Sequence, residues 1–429
     1  MSRPTAMRLA PTAVAAVLAI VYVITSPASL DLATHLLRAK LFDAEGFGLW
    51  NNWWYAGHNV TGYSVLFVPL AAALTPQLLA AIAAVASAAV FEALAFGAFR
   101  RHAYLASVWF GAATATELFT GRLTFAFGLA PALGTALALQ RRRPKTAAGL
   151  ALLTALASPV AALFAALAGA AHAVGRHKWP AGLGVVAAAL APVALLAIAF
   201  PEGGTFPFAF SALWPLLLIA AAMLPAARKR PALRAGIALY ALGCLAAYAL
   251  HTPIGANAAR LGTLTAGPLA ALLVSNRRLL LVAIAPLVYL QIQPPIRDLV
   301  NQANDPSTNA AYYRPLLAYL SHQTGPPFRI EIPPTRFHYE SYEVAPRYIL
   351  ARGWERQLDI KYDDLFYTGP LTPATYNAWL HRFAVRFVAV ADAPLDYAAK
   401  AETTLIDRGL PYLRLVARTQ HWRVYAVRD

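Results

Sequence analysis

The chain of 429 residues is 59% hydrophobic and only 13% charged, a balance that a soluble domain of this length does not carry and that marks a polytopic membrane protein. Its net charge of +16 lies in short clusters between apolar stretches, not on a soluble face with stacking aromatics, which argues against a nucleic-acid partner. The single cysteine, Cys244, sits inside an apolar stretch, so disulfides and cysteine metal sites within one chain are excluded.

Residues 1 to 293 hold 20 Lys or Arg and 6 Asp or Glu, against 16 and 14 in residues 294 to 429. The basic excess of the first part falls at Arg100 with Arg101, Arg141 to Arg143 with Lys145, Arg176 with Lys178, Arg228 to Arg230, and Arg277 with Arg278. Such clusters mark cytoplasmic loops, and the chain has to cross outward and return between each pair.

The first apolar stretch, residues 8 to 27, reads as a retained helix with its N-terminus cytoplasmic. A cleaved leader with Ser26 and Ala28 at the small-residue positions is the alternative, but the apolar run is longer than a leader needs. Next comes the first outer loop, residues 28 to 63, which crowds acids, imidazoles, guanidinium and aromatic rings together. If residues 31 to 41 are helical, Asp31, His35 and Arg38 share one face by their i, i+4, i+7 spacing. Asp31 is expected to cap that helix, a role compatible with catalysis. Trp50, Trp53, Trp54 and Tyr55 suit an aromatic belt at the membrane interface or a platform for lipid or sugar. His35 and His58 beside Asp31, Asp43 and Glu45 make a divalent metal possible, although no fixed ligand spacing supports one.

Ten further apolar segments follow, at 64 to 98, 103 to 119, 123 to 140, 146 to 158, 160 to 175, 181 to 200, 210 to 226, 232 to 250, 262 to 275 and 279 to 293. With the first stretch they predict about eleven transmembrane passes, N-terminus inside and C-terminus outside. Residues 146 to 175 are too short for two full spans, and a pair of short helices broken at Ser158 and Pro159 resolves this. On this topology Glu92 alone of the six acids lies within a span, where Arg100 or Arg101 would pair with it. Glu117 and Arg122 bracket an outer turn, and Arg260 is the only basic residue of its outer loop. An arginine at the outer end of a span is the group best suited to a phosphate, although it can also simply snorkel.

After Pro294 and Pro295 the composition turns polar, and an extracytoplasmic α/β domain, residues 294 to 429, is predicted. AYYRPLLAYLSHQ reads as a helix, FRIEIP as a strand, and TPATYNAWLHRFAV as a helix with Thr372 at its N-cap. VRFVAVAD is a strand, DYAAKAETTLIDRG a helix ended by Gly409, and LRLVAR with WRVYAV a closing pair of strands. Residues 338 to 369 form a long run dense in Tyr, Arg and acids, either a wall for carbohydrate or a folded loop with its own ion pairs. No HExxH, Walker or dinucleotide-type glycine pattern is present.

DLATHLLRAKLF, then LWNNWWYAGH and GYS before an apolar segment, resembles the first outer loop of the glycosyltransferase C (GT-C) superfamily. The likeness extends to ALASPVAALF and to the stretch from VRFVAVAD to WRVYAV, and is nearest to bacterial membrane proteins described as related to pyruvoyl-tetrahydropterin synthase. The resemblance implies a polytopic α-helical GT-C-like domain over residues 1 to 293. It further implies a hexosyl- or pentosyltransferase that takes a sugar from a polyprenyl-phosphate donor to a glycan or lipid acceptor of the cell envelope. Asp31 matches the position of the catalytic base, but Leu32 stands where parts of the superfamily have a second acid. The residues expected to bind substrate are His35, Arg38, Trp50, Trp54, Tyr55, His58, Glu117, Arg122 and Arg260. A preference for Ala and for Arg over Lys suits a GC-rich bacterial genome and a place in the cytoplasmic membrane among its lipids. The rival readings are a transporter or flippase of lipid-linked substrates, which should gather charges around a midplane cavity, and a noncatalytic scaffold for envelope assembly.

Overall fold

A computed structural model describes residues 3–274 and 276–428. Met1 and Ser2, where the leader reading begins, lie outside them, and so do the side chains of Arg101 and Arg277 in two of the basic clusters. The chain forms two compact units: residues 1–27, 63–201 and 206–297, and residues 28–62, 202–205 and 298–429.

The first unit is helical, and every expected apolar segment carries a helix. Among the described residues six helices are long and apolar enough to cross a membrane, namely Pro76–Phe99, Leu123–Gln140, Pro159–Arg176, Trp179–Ala199, Pro231–Ala249 and the stretch Arg278–Ala303; Leu9–Thr25, Pro144–Ala157 and Phe210–Ala226 are shorter apolar helices. This is a polytopic membrane protein. The stretch 64 to 98 divides at Thr75, whose φ of 84° ends the short helix Phe67–Leu74 and whose hydroxyl accepts from Leu78 N–H to start the next. Ser158 works in the same way: it terminates Pro144–Ala157 and caps Pro159–Arg176 through Ala161 N–H at 3.4 Å, with Pro159 at the first helical position.

The last helix of this unit departs from expectation. It runs as Arg277–Ala303, straight through Pro294 and Pro295. Proline's fixed φ is already helical, and the amide bonds it removes are tolerated where other groups take up the freed carbonyls. The polar composition after residue 293 therefore begins inside a helix.

The second unit joins the first outer loop to the C-terminal segment. Its sheet has strand order β3-β4-β6-β5, with β3 (Arg329–Glu331) parallel to β4 (Val385–Ala391), and β6 (Trp422–Val427) antiparallel to both β4 and β5 (Leu413–Arg418). Helices Ala310–Ser321, Pro373–Arg382 and Lys400–Asp407 accompany it. Pro315 stays inside the first of these, Thr372 makes a capping box with Thr375 on the second, and Gly409, at φ 84°, follows the third. From the loop come the helix Leu32–Glu45 and a hairpin of β1 (Trp50–Asn51) with β2 (Val60–Thr61). Ala33, Leu37, Leu41, Trp54, Tyr55 and Val60 share one buried core with Tyr313, Ile330, Phe337, Phe387 and Trp422. The backbone links as well: Leu350 N–H donates to Trp53 O, and Ala56 N–H to Leu350 O, both at 3.1 Å.

Candidate functional sites

In the second unit, Asp31 occupies the N-cap position of Leu32–Glu45 but does not act as a cap. Its backbone is already near-helical, at φ −96° and ψ −9°, and its side chain makes no cap hydrogen bond. Capping geometry requires an extended N-cap residue whose carboxylate swings back over the first turn, so the expected cap is absent. His35, one turn on, is buried, and Arg38 is partly buried. Arg38 Nη2 donates to Glu355 Oε1, while Arg38 Nε is buried with no partner among the described residues. Burial pushes the Glu355 carboxyl above its usual range and the charge of Asp31 adds to the rise, against the opposing pull of Arg38. Asp31, Arg38 and Glu355 therefore form one electrostatic group.

The aromatic residues of this loop divide into two kinds. Trp54 and Tyr55 are 0% and 1% exposed. Tyr55 donates its hydroxyl proton to Glu355 O at 2.9 Å, and a Cβ at Gly353 would stand 2.6 Å from Trp54 Cβ. These two rings are core, neither interfacial belt nor open platform, because the chain around Gly353 and Glu355 closes over them. Trp50 is 50% exposed. His58 is exposed and stacks on Tyr362 with centroids 4.1 Å apart. Tyr362 donates its hydroxyl to Glu202, which also accepts from Lys361 Nζ at 3.0 Å. The tyrosine hydrogen bond, helped by Lys361 and opposed by burial, holds the Glu202 carboxyl below its usual range.

The run 338 to 369 resolves into internal ion pairs. Arg352 makes a bidentate pair with Asp359, Nε to Oδ1 at 3.2 Å and Nη2 to Oδ2 at 3.0 Å, and its Nη1 reaches Glu402 Oε2 at 2.9 Å. Arg356 Nη2 pairs with Asp396 at 2.8 Å. The guanidinium groups of Arg352 and Arg356 are thus engaged with carboxylates inside the fold. Among the described residues no three His, Cys, Asp or Glu groups gather as a metal site, and His35, His58, Asp31, Asp43 and Glu45 do not converge on one.

In the first unit, Glu117, Arg122 and Arg260 come together. They line a cavity of about 60 Å³ with Thr116, Thr120, Thr263 and Gln291. Glu117 belongs to the last turn of the helix Tyr104–Phe119, fully buried, instead of standing in a loop. The turn that follows returns Arg122 N–H to Glu117 O at 2.9 Å and sets Arg122 Nη1 3.6 Å from Glu117 Oε2. Arg260 is the second residue of the helix Ala259–Leu273, with its guanidinium 5.8 Å from the Phe125 ring centroid. Gln291 fixes the opposite wall: its Nε2 donates to Thr263 O and Leu264 O, both at 2.9 Å, and its Oε1 accepts from Trp109 Nε1 at 2.6 Å. Two guanidinium groups and one carboxylate are among the residues that line the cavity, and the guanidinium fork is the side-chain group that fits phosphate oxygens.

No protein-family model matches the sequence, and no curated protein matches it. Its structure is similar to the crystal structure of the apo oligosaccharyltransferase of Archaeoglobus fulgidus, with a TM-score of 0.51 at 12% identity, over 90% of this chain and 69% of that one. At this identity the likeness is one of fold alone. Glu355 was not among the residues expected from sequence. The only signal for it was its place in the acid-rich run 338 to 369, because a pairing with Arg38 across 317 positions leaves no local pattern.

Proposed function

We propose that this chain is an inverting glycosyltransferase of GT-C type at the outer face of a bacterial cytoplasmic membrane. In this reading it crosses the membrane eleven times, with its N-terminus cytoplasmic and residues 298–429 outside, and it shares its ancestry with the membrane proteins related to pyruvoyl-tetrahydropterin synthase. It moves a hexosyl or pentosyl unit from a polyprenyl-phosphate donor to a glycan or lipid acceptor of the envelope. The observation that carries the reading is the convergence of Arg122 and Arg260 on one small cavity with threonine side chains around it, a setting suited to a phosphate oxygen cluster.

The chemistry is a single displacement. Asp31 takes the proton from the acceptor hydroxyl, the freed oxygen attacks the anomeric carbon, and the bond from that carbon to the lipid phosphate breaks with its electron pair leaving on the phosphate. Within the first unit, Arg260, with Arg122 as helper, is assigned the departing charge. The side chain of Asp31 stands at the start of Leu32–Glu45 without capping it. Trp50 and His58, exposed in the same unit as Asp31, are the loop residues suited to stacking on a sugar.

The test is donor binding. Arg260→Lys keeps the charge but loses the two-pronged geometry, so the affinity of the purified full chain for a polyprenyl-phosphate sugar should fall. Arg260→Ala should weaken it further, by on the order of 10-fold to 100-fold for a charge-assisted pair. An unchanged donor affinity in Arg260→Ala would remove this cavity from the reaction.

A further inference from the structure

A second, larger cavity lies wholly within the helical unit. It measures about 1140 Å³ and its walls are apolar, with Phe91, Leu133, Phe164 and Met223 among them. That volume exceeds the roughly 300–1,000 Å³ of pockets for drug-sized ligands. Five cations line it, Arg142, Arg176, Lys178, Lys229 and Arg230, and no Asp or Glu is among its described lining residues.

These cations share one end of the bundle. Arg142 lies just past the helix Leu123–Gln140, Arg176 closes Pro159–Arg176, Lys178 precedes Trp179–Ala199, and Lys229 and Arg230 precede Pro231–Ala249. None of the five has an ion-pair partner among the described residues. Arg230 is directed at the cavity, its guanidinium 4.5 Å from the ring centroid of Phe99, another lining residue. The small cavity of Arg122 and Arg260 is separate: Arg122 stands at the start of Leu123–Gln140 and Arg142 beyond its end, and the helix between them is about 27 Å long at 1.5 Å per residue.

We propose that this cavity is a binding site for a two-chain anionic phospholipid, its acyl chains between the helices and its phosphate headgroup on the five cations. An apolar body of this size with unneutralised cations at one end is complementary to an amphiphile that carries a negative head, and basic pockets between transmembrane helices take such headgroups. A neutral lipid would leave the cations without a counter-charge, and a free phosphate would leave the apolar walls unfilled. The site does not depend on the transferase reading.

The test uses the detergent-purified full chain, equilibrated with equal amounts of phosphatidylglycerol and phosphatidylcholine of identical acyl chains, with bound lipid counted by native mass spectrometry. The chain should retain phosphatidylglycerol selectively. Combined Arg176→Gln, Lys229→Gln and Arg230→Gln should lower that selectivity on the order of 100-fold, at about 1 kcal/mol for each cation. Should that variant fail to fold, two others decide: combined Arg176→Lys and Arg230→Lys should keep the selectivity, and Ala136→Phe, which intrudes on the apolar body, should weaken retention of both lipids. Equal retention of the two lipids by the unaltered chain, or phosphatidylglycerol retention unaffected by Ala136→Phe, overturns the proposal. Displacement of phosphatidylglycerol by an added polyprenyl phosphate, with the same dependence on the three cations, overturns it in favour of an isoprenoid occupant.

Discussion

At the scale of single residues, the second unit is organised by arginines held among acids. Arg352 is fully buried between Asp359 and Glu402, and burial together with Glu402 pushes the nearby Glu331 carboxyl well above its usual range. Arg352→Met should therefore cost about 3–5 kcal/mol, because it strands buried carboxylates; denaturant unfolding of the purified chain checks this, and a loss below 1 kcal/mol would mean that the network contributes little. His338 gives a pH signature. Burial pulls its imidazole down, but Asp396 and Glu340 outweigh burial and set it above the ordinary value, while Asp396, despite its own burial, is held well below the usual carboxylate range by His338 and Arg356. A raised histidine contributes stability that is fully present below about pH 6.5 and is lost as pH rises through the folded-state value. A depressed aspartate contributes stability above about pH 3.9 that is lost on further acidification. The unfolding midpoint of the unaltered chain relative to His338→Gln should thus be highest near pH 5–6 and shrink towards alkaline pH; a difference that grows with pH would contradict the assignment. None of these pairs was legible in the sequence beyond the density of Tyr, Arg and acid between residues 338 and 369, because each carboxylate's partner is set by the tertiary fold.

At the scale of elements, local rules were legible where the physics is local. Thr372 and Pro373 specify a helix start by themselves, and Ser158 with Pro159 specifies a break, since a capping hydroxyl and a pre-set φ act over three or four residues. Thr372→Ala removes the hydroxyl that accepts from Thr375 N–H at 3.2 Å, while the reciprocal bond from the residue-372 backbone N–H to Thr375 Oγ1 can remain. It should cost about 1 kcal/mol, read as a lowered unfolding midpoint, with Thr372→Ser restoring most of it. Helix pairing was less legible. Pro159–Arg176 and Trp179–Ala199 approach so closely that a Cβ at Gly182 would lie 2.5 Å from Gly169 O, a small-residue contact that a sequence of this alanine content does not single out. The double proline at 294 and 295 does not end its helix, since proline's φ is already helical and other groups in a membrane protein can take up the freed carbonyls.

For the whole molecule, composition and the spacing of basic clusters were enough to make it a polytopic membrane protein, since the bilayer sets helix length and composition together. The grouping of residues 28–62 with the C-terminal segment could not be read, because it depends on Trp54, Tyr55 and Val60 finding a core more than 200 positions away. In the proposed transferase reading, the base is Asp31. Asp31→Asn decides it, since the side chain does not cap its helix and Asn would be tolerated at that position even if it did. Sugar transfer from a polyprenyl-phosphate donor and thermal stability should be measured on the same purified Asp31→Asn sample. The unfolding midpoint should be unchanged with transfer lowered by roughly 10² to 10⁴, and undiminished transfer at an unchanged midpoint would contradict the assignment of Asp31.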